Sequence, residues 1–145
     1  MTIGRKNIIR VFVAVILLLG AIYGTVVFYQ TRPRQIITGL LHLDRAPASL
    51  ANAECESWGM TDVLTTCVFQ VDPADFPALT KGWQFKPEPA HGGSYSFSGG
   101  PKIGPNFRVS AAFAVNNPPA FSHGGRVSLV TDATRSRVQL DYYEE

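Results

Sequence analysis

The sequence contains few of the residues that metal-dependent and covalent catalysis usually require. Its 145 residues include three histidines and two cysteines. It has no C-x-x-C pair, no histidine pair with the spacing of a zinc motif, and no G-x-S-x-G nucleophile turn. The glycine-rich stretch SGGPKIGP at 98–105 does not match a phosphate-binding loop, and its prolines lack the backbone N–H groups that would hold a phosphate. We therefore expect a protein without a cofactor that is not an enzyme, with a membrane-tethered enzyme as the less favoured alternative.

Basic charge is scarce in the part of the chain that is expected to fold. Three of the 13 Lys and Arg residues lie in the first ten positions, and all 11 Asp and Glu residues lie after position 29. Residues 30–145 therefore carry 10 basic and 11 acidic groups, although the isoelectric point of the whole chain is about 8.7. Nucleic-acid-binding domains usually present a basic stripe, so the composition argues against a nucleic-acid partner.

A long uncharged run occupies the N-terminal region. Residues 11–28 read VFVAVILLLGAIYGTVVF, which is 18 residues without a charge. At about 1.5 Å per residue, a helix of this length nearly spans a hydrocarbon core of about 30 Å. The run is longer than the apolar region of a secretory signal, about 7–15 residues, and neither a small-x-small cleavage site nor a lipidation cysteine follows it. This favours an uncleaved signal-anchor over a cleaved signal peptide.

The flanking charges and the cysteines indicate which side of the membrane the domain occupies. Three basic residues precede the run and two follow it, and basic residues favour the cytoplasmic side. Both cysteines lie beyond the run, and an even pair is typical of exported domains. In the inner (cytoplasmic) membrane we predict a cytoplasmic N-terminus at 1–10, a transmembrane helix at 11–29, a tether at 30–49, and a periplasmic or extracellular domain at 50–145.

Alternating apolar and polar residues dominate the chain beyond this tether. Five segments alternate with the period of a β-strand, and the last is interpreted as two strands: 49–57, 62–71, 95–97, 106–116 and 125–145. The connections between them are short, which favours antiparallel pairing. The predicted fold class is α+β and mostly β, with an N-terminal transmembrane helix followed by a sheet of five or six antiparallel strands and one short helix.

The short helix is predicted in VDPADFPALTKGW, which follows the second strand. Asp72 suits a helix N-cap and Pro73 the first helical position, with Phe76 and Leu79 buried. An alternative is that Asp72 and Asp75 bind a metal ion. Calcium sites need more oxygen donors at closer intervals than these two supply, so capping is the favoured interpretation.

Cys55 and Cys67 lie symmetrically about the turn-prone sequence WGMTD. Directly opposed Cα atoms of an antiparallel pair are about 4.5–5.5 Å apart, within the range of a disulfide. Closing a loop of this size contributes about 3 kcal/mol to stability. Reduced buried thiols and a reactive pair are the alternatives, but no basic residue is close in sequence to lower a thiol pKa. We predict a hairpin with a structural disulfide.

Two phrases share a His-Gly-Gly motif: PAHGGSYS around His91 and FSHGGRVS around His123. Each follows proline and precedes a strand-like run, which is typical of a turn. A metal or ligand site would require the two loops to meet, and the third histidine, His42, lies in the predicted tether. We expect turns without a bound metal, with His91 and His123 as weak candidates for ligands.

Gly20 and Gly24 have the G-x-x-x-G spacing within the apolar run. Glycines four positions apart share one helix face, where a second helix can approach closely. Because glycine is frequent in membrane helices, incidental glycines are the favoured interpretation, and helix–helix contact through Gly20 and Gly24 is the alternative.

The favoured function is a single-pass membrane-anchored envelope protein whose exported domain is a non-enzymatic interaction or assembly subunit. Its expected partners are the membrane and a protein, or a second copy bound through the helix. The alternative is a small-ligand or metal-binding envelope domain that uses both His-Gly-Gly loops.

Overall fold

The computed structural model describes residues 5–59, 62–91 and 100–145; in the first helix it describes the side chains of residues 11–25 and of those from 32 onward. The elements are α1 (Arg5–Leu40), β1 (Ala51–Trp58), β2 (Val63–Gln70), α2 (Phe76–Leu79), β3 (Lys86–Glu88), β4 (Ala111–Asn116), β5 (Gly125–Thr131) and β6 (Arg137–Glu144). The chain divides into two units, the first ending at Arg32 and the second beginning at Pro33.

The first unit contains the N-terminal part of α1. The uncharged run lies in this helix, and the described side chains from residue 11 to residue 25 are exposed. Within the part of the chain that the structure describes, no helix combines the length and the apolar character needed to cross a membrane.

The second unit is built on one six-stranded sheet with the order β1-β2-β6-β5-β4-β3. Every neighbouring pair is antiparallel, which confirms the predicted mostly-β class and pairing. The strands alternate as predicted, so Val127 and Leu129 share a face with Val138 and Leu140, and all four are fully buried. Period-two alternation is a local property of a strand, which is why these residues could be placed from the sequence.

The last turns of α1 cover this apolar face. Ile37 and Leu41 are fully buried there and belong to the same core cluster as Cys67 and Phe69. The predicted tether at 30–49 is therefore different in the structure: its first part is helical, and the folded unit begins at Pro33 rather than at residue 50. The physical reason is the spacing of its apolar residues, which forms a stripe on one side of a helix.

The segment after α1 is also held to the fold. Nη2 of Arg34 donates hydrogen bonds to the carbonyl oxygens of Pro47 at 3.0 Å and Ala48 at 3.3 Å. The side chain of Ser49 donates to Asp75 and accepts from the backbone N–H of Asp72. These bonds fix the connection between α1 and β1.

The predicted short helix is present as α2, and Phe76 and Leu79 are buried as expected. It begins at Phe76 with Asp75 as its N-cap residue, three residues later than the predicted N-cap Asp72. Asp72 instead accepts a hydrogen bond of 2.9 Å from the backbone N–H of Ala74, and so caps the turn that precedes the helix.

Two strands differ from the prediction. β3 lies in a segment interpreted as a loop because of its prolines; Pro87 is tolerated because β3 is an edge strand, where one side needs no N–H donor. β4 begins at Ala111 instead of residue 106, because Asn106 and Phe107 lie beside β2 and β6, where they line a small cavity with Val68. The strand predicted at 95–97 lies outside the described residues.

Candidate functional site

The most exposed apolar surface among the described residues lies on α1. Ten large side chains between Val11 and Tyr23 are from 48% to 73% exposed. Gly20 and Gly24 have no other atom within 4 Å of the position that a Cβ would occupy, beyond those of their own helical turns and chain neighbours. The described part of this helix therefore presents apolar side chains and two glycines to its surroundings, and helix association through the glycines stays a prediction.

The predicted disulfide joins β1 to β2. Cys55 and Cys67 are directly opposed in the register, their Cα atoms are 4.1 Å apart, and their sulfur atoms are bonded. Cys67 is fully buried in the core, and Sγ of Cys55 lies 3.9 Å from the carbonyl oxygen of Pro33. The disulfide therefore links the edge of the sheet to the core below α1, and the alternatives of free or reactive thiols are wrong.

The second His-Gly-Gly motif forms the turn that leads into β5. Gly124 and Gly125 have φ values of 110° and 145°, which L-residues rarely adopt. The backbone N–H of Gly125 donates to Oδ1 of Asn117 at 3.1 Å, and this closes the loop. His123 is exposed on the same turn. The glycines of this motif have a conformational role, as the sequence predicts.

The first motif leaves the sheet at a different place. Glu88, at the end of β3, is opposite Ala112 near the start of β4. His91 follows three residues later and is exposed, whereas Gly92 and Gly93 lie outside the described residues. His123 precedes β5, whose first residues are opposite the other end of β4. The chain therefore runs from β3 to His91 at one end of β4, and from His123 into β5 at the other end. Among the described residues, no three His, Cys, Asp or Glu side chains form a group that could hold a metal ion.

A row of aromatic rings connects the end of α1 with β6. The ring of His42 stacks on Trp83 at 4.1 Å between centroids, Trp83 meets Phe121 edge-on at 5.7 Å, and Phe121 meets Tyr142 edge-on at 5.1 Å. Nε1 of Trp83 donates a 2.8 Å hydrogen bond to the carbonyl oxygen of Leu40. This bond satisfies one of the carbonyls that a helix end leaves without a partner, so the row serves to hold α1 in place.

A cleft of about 680 Å³ lies next to this row, between residues 42–48 and the end of α2. Its lining includes Arg45 and Lys81, and also Asp44 and Asp75. The volume is within the range of small-molecule sites. Because side chains of both charge signs line it, the cleft does not select one class of ligand.

The two edges of the sheet carry features that hinder the addition of another strand. β3 contains Pro87, and β1 contains a register shift between Ala51 and Glu54, within which Asn52 has a φ of 50°. Proline and bulges are common means by which proteins protect sheet edges. The sheet edges are therefore less suited to a partner than the apolar helix.

A carboxyl group is buried on the sheet face opposite α1. Asp141 on β6 is 4% exposed; Oγ1 of Thr66 donates to its Oδ1 and Nε2 of Gln139 to its Oδ2, each at 2.7 Å. Burial raises the pKa of Asp141 to about 6, although both hydrogen bonds and the charge of Arg126 act to lower it. Sequence reasoning did not find this residue, because an acidic residue in an alternating strand normally faces solvent.

Comparisons of the chain with protein-family models, with curated proteins and with solved structures found no match. The function is therefore argued from the chemistry and geometry of the chain itself.

Proposed function

We propose that this protein is a single-pass, membrane-anchored accessory subunit. Its N-terminal helix is held in the inner (cytoplasmic) membrane, and the unit from Pro33 onward is exported and takes part in an assembly without catalysing a reaction. The observation that carries the proposal is the exposure of large apolar side chains along α1 between Val11 and Tyr23.

An apolar helix of this kind requires an apolar environment. The exposed side chains occupy consecutive positions such as Val11, Phe12 and Val13, and again Leu17, Leu18 and Leu19. Consecutive residues point about 100° apart, so these side chains surround the helix instead of forming one stripe. A helix that is apolar on all sides is usually buried in a large core or in a membrane. The uncharged run at 11–28 supports the membrane, and residues 26–28 of this run lie outside the residues whose side chains the structure describes.

The second unit has the properties expected of an exported domain. It carries the Cys55–Cys67 disulfide, and disulfides persist mainly outside the cytosol. All members of its buried apolar cluster lie at or after Ile37. The apolar part of α1 is therefore free to serve as an anchor, because the described core does not use it.

A protein partner is proposed at the membrane helix. Gly20 and Gly24 share one helix face, and the space that a side chain would occupy there is open. Another helix, from a second copy or from a different protein, would gain close packing at this face. The protected sheet edges support this location for the partner over strand addition.

Fractionation and protease protection test the anchor. We expect the full chain to stay in the membrane pellet after alkaline carbonate extraction, and the second unit to be digested by protease added from the periplasmic or outer side. Leu18→Arg should reduce membrane retention, because a charge in the middle of an apolar helix is costly, whereas Val63→Arg in the second unit should leave it unchanged. Release of the unaltered chain by carbonate would refute the proposal.

Photo-cross-linking from a position on α1 tests the partner. We expect a discrete cross-linked species in native membranes, lost with Gly20→Leu and Gly24→Leu together. Ala21→Leu is the matched control, because this residue points about 100° away from Gly20. A cross-link that survives the double glycine substitution would place the partner on another surface.

A further inference from the structure

Asp141 lies on the sheet face against which the segment Gly100–Pro105 packs. This carboxyl group lies among side chains of the sheet face opposite α1, and its two oxygens accept from Thr66 and Gln139. Among the described residues it has no salt-bridge partner: Arg126, on the neighbouring strand, pairs with Glu88 instead. A buried carboxylate without a paired cation is costly in its charged form.

Residues Gly100–Pro105, which we name the cover, lie over this face. Pro101 is almost completely buried, and the backbone N–H of Lys102 donates to Oε2 of Glu56 at 3.3 Å. Gly104 approaches the sheet so closely that a Cβ there would be 2.6 Å from Cγ1 of Val68 and 3.0 Å from Oε1 of Gln139. Gly104 therefore lies beside the side-chain carbonyl of Gln139, whose amide donates to Asp141.

We propose that Asp141 makes the cover pH-dependent: the protonated carboxyl favours the closed cover, and ionisation loosens it. The neutral acid fits the site because the Thr66 hydroxyl can turn and accept a hydrogen bond from the protonated carboxyl group. The charged form gains from water, and water can reach it when the cover moves away. Closed and loosened states of the cover therefore bind a proton with different affinity.

Several other charged or titratable groups lie on the same face of the sheet as Asp141. They are Glu54 and Glu56 on β1, Lys86 and Glu88 on β3, Arg126 on β5, Arg137 and Tyr143 on β6, and Lys102 in the cover. β2 and β4 place no charged group on this face. Glu56 accepts a hydrogen bond from the backbone N–H of Lys102, and Glu88 pairs with Arg126. Asp141 is therefore the buried group whose charge we expect to change with pH.

Because the pKa of Asp141 is raised, protonation of this group stabilises the closed cover. The folded value of about 6 exceeds the ordinary value of 3.8, so the stabilising effect of protonation is complete below 3.8 and is lost as pH rises through 6. Between pH 5.0 and pH 7.5 this corresponds to a change of about tenfold in the equilibrium between closed and open forms.

Hydrogen exchange of the full chain tests the proposal. After correction for the intrinsic pH dependence, we expect the amides of Lys102, Ile103 and Gly104 to be about tenfold better protected at pH 5.0 than at pH 7.5. Asp141→Asn mimics the neutral acid, so its protection should be equal at both pH values. Asp132→Asn, a carboxyl in the β5–β6 turn whose pKa is lowered, is the control and should keep the pH response of the unaltered chain. Equal protection of the unaltered chain at both pH values, or a persistent response in Asp141→Asn, would overturn the proposal.

A second measurement needs no substitution. The ¹³Cγ resonance of Asp141 should titrate near pH 6 in the folded chain. A midpoint near the ordinary value of 3.8 would also overturn the proposal.

Discussion

Gly125 lies directly against the ring of Phe121. A Cβ built on this glycine would be 2.6 Å from Cδ2 of that ring and 2.2 Å from the carbonyl oxygen of Tyr143. The second His-Gly-Gly motif therefore contains a glycine that the packing of the turn against β6 requires, while His123 beside it is exposed. Steric fit, and not ligand chemistry, explains why glycine stands at this position.

Replacing Gly125 by alanine should destabilise the second unit by about 2–3 kcal/mol, because the new Cβ meets backbone and ring atoms and φ is 145°. Gly124→Ala is the matched control. Its Cβ would meet only Oδ1 of Asn117, at 3.3 Å, so the cost should be smaller, about 1–2 kcal/mol, and come mainly from its φ of 110°. Denaturant unfolding measures both. Equal losses would show that backbone conformation, and not the contact with Phe121, decides.

Removing the disulfide with Cys55→Ala and Cys67→Ala should lower the free energy of unfolding by about 3 kcal/mol, because the cross-link restricts the unfolded chain. The unaltered chain should lose a similar amount in a reducing agent, and the double variant should be insensitive to it. Thermal unfolding with and without reductant checks this. A double variant as stable as the unaltered chain would show that the sheet does not depend on the bond.

Asp132 should contribute stability at neutral pH and lose it in acid. Burial tends to raise its pKa, but hydrogen bonds from the N–H groups of Arg137 and Ser136 and from the hydroxyls of Thr134 and Ser136 lower it below 3.8. A lowered pKa gives stability above the unfolded value that disappears as pH falls through the folded value. Asp132→Ala should therefore cost about 1–2 kcal/mol at pH 7, and the electrostatic part of this loss should diminish as pH falls below 3.8 and through the lower folded pKa. A loss that is independent of pH would contradict this.

Trp83→Phe should destabilise the contact between α1 and the rest of the second unit by about 1–2 kcal/mol. The change removes the donor that satisfies the carbonyl oxygen of Leu40 at 2.8 Å and leaves an aromatic ring next to Phe121. Hydrogen exchange at the end of α1 should rise with it. If hydrogen exchange at the end of α1 is unchanged while the free energy of unfolding falls, Trp83 stabilises the core of the sheet and not the end of the helix.

Part of the fold could be predicted from the sequence, and part of it could not. The hairpin with opposed Cys55 and Cys67 follows from local alternation and symmetric spacing, as does the pairing of β5 with β6. The buried Asp141 could not be found in the same way. Alternation assigns a residue to one of the two faces of the sheet, but it does not show whether another segment covers the face opposite the core. Here Gly100–Pro105, about forty positions earlier in the chain, packs against this face beside Val68 and Gln139.

The sequence by itself determined the strands β1, β2, β5 and β6, their antiparallel pairing, the disulfide and the uncharged N-terminal run, because each depends on residue types at short spacings. The tertiary structure alone decided that the predicted tether joins the core through Ile37 and Leu41, and that Asp141 is enclosed. It also decided that β3 ends ahead of His91 at one end of β4, whereas His123 leads into β5 at the other end. Each of these depends on which distant segments come into contact, and burial is a property of that contact.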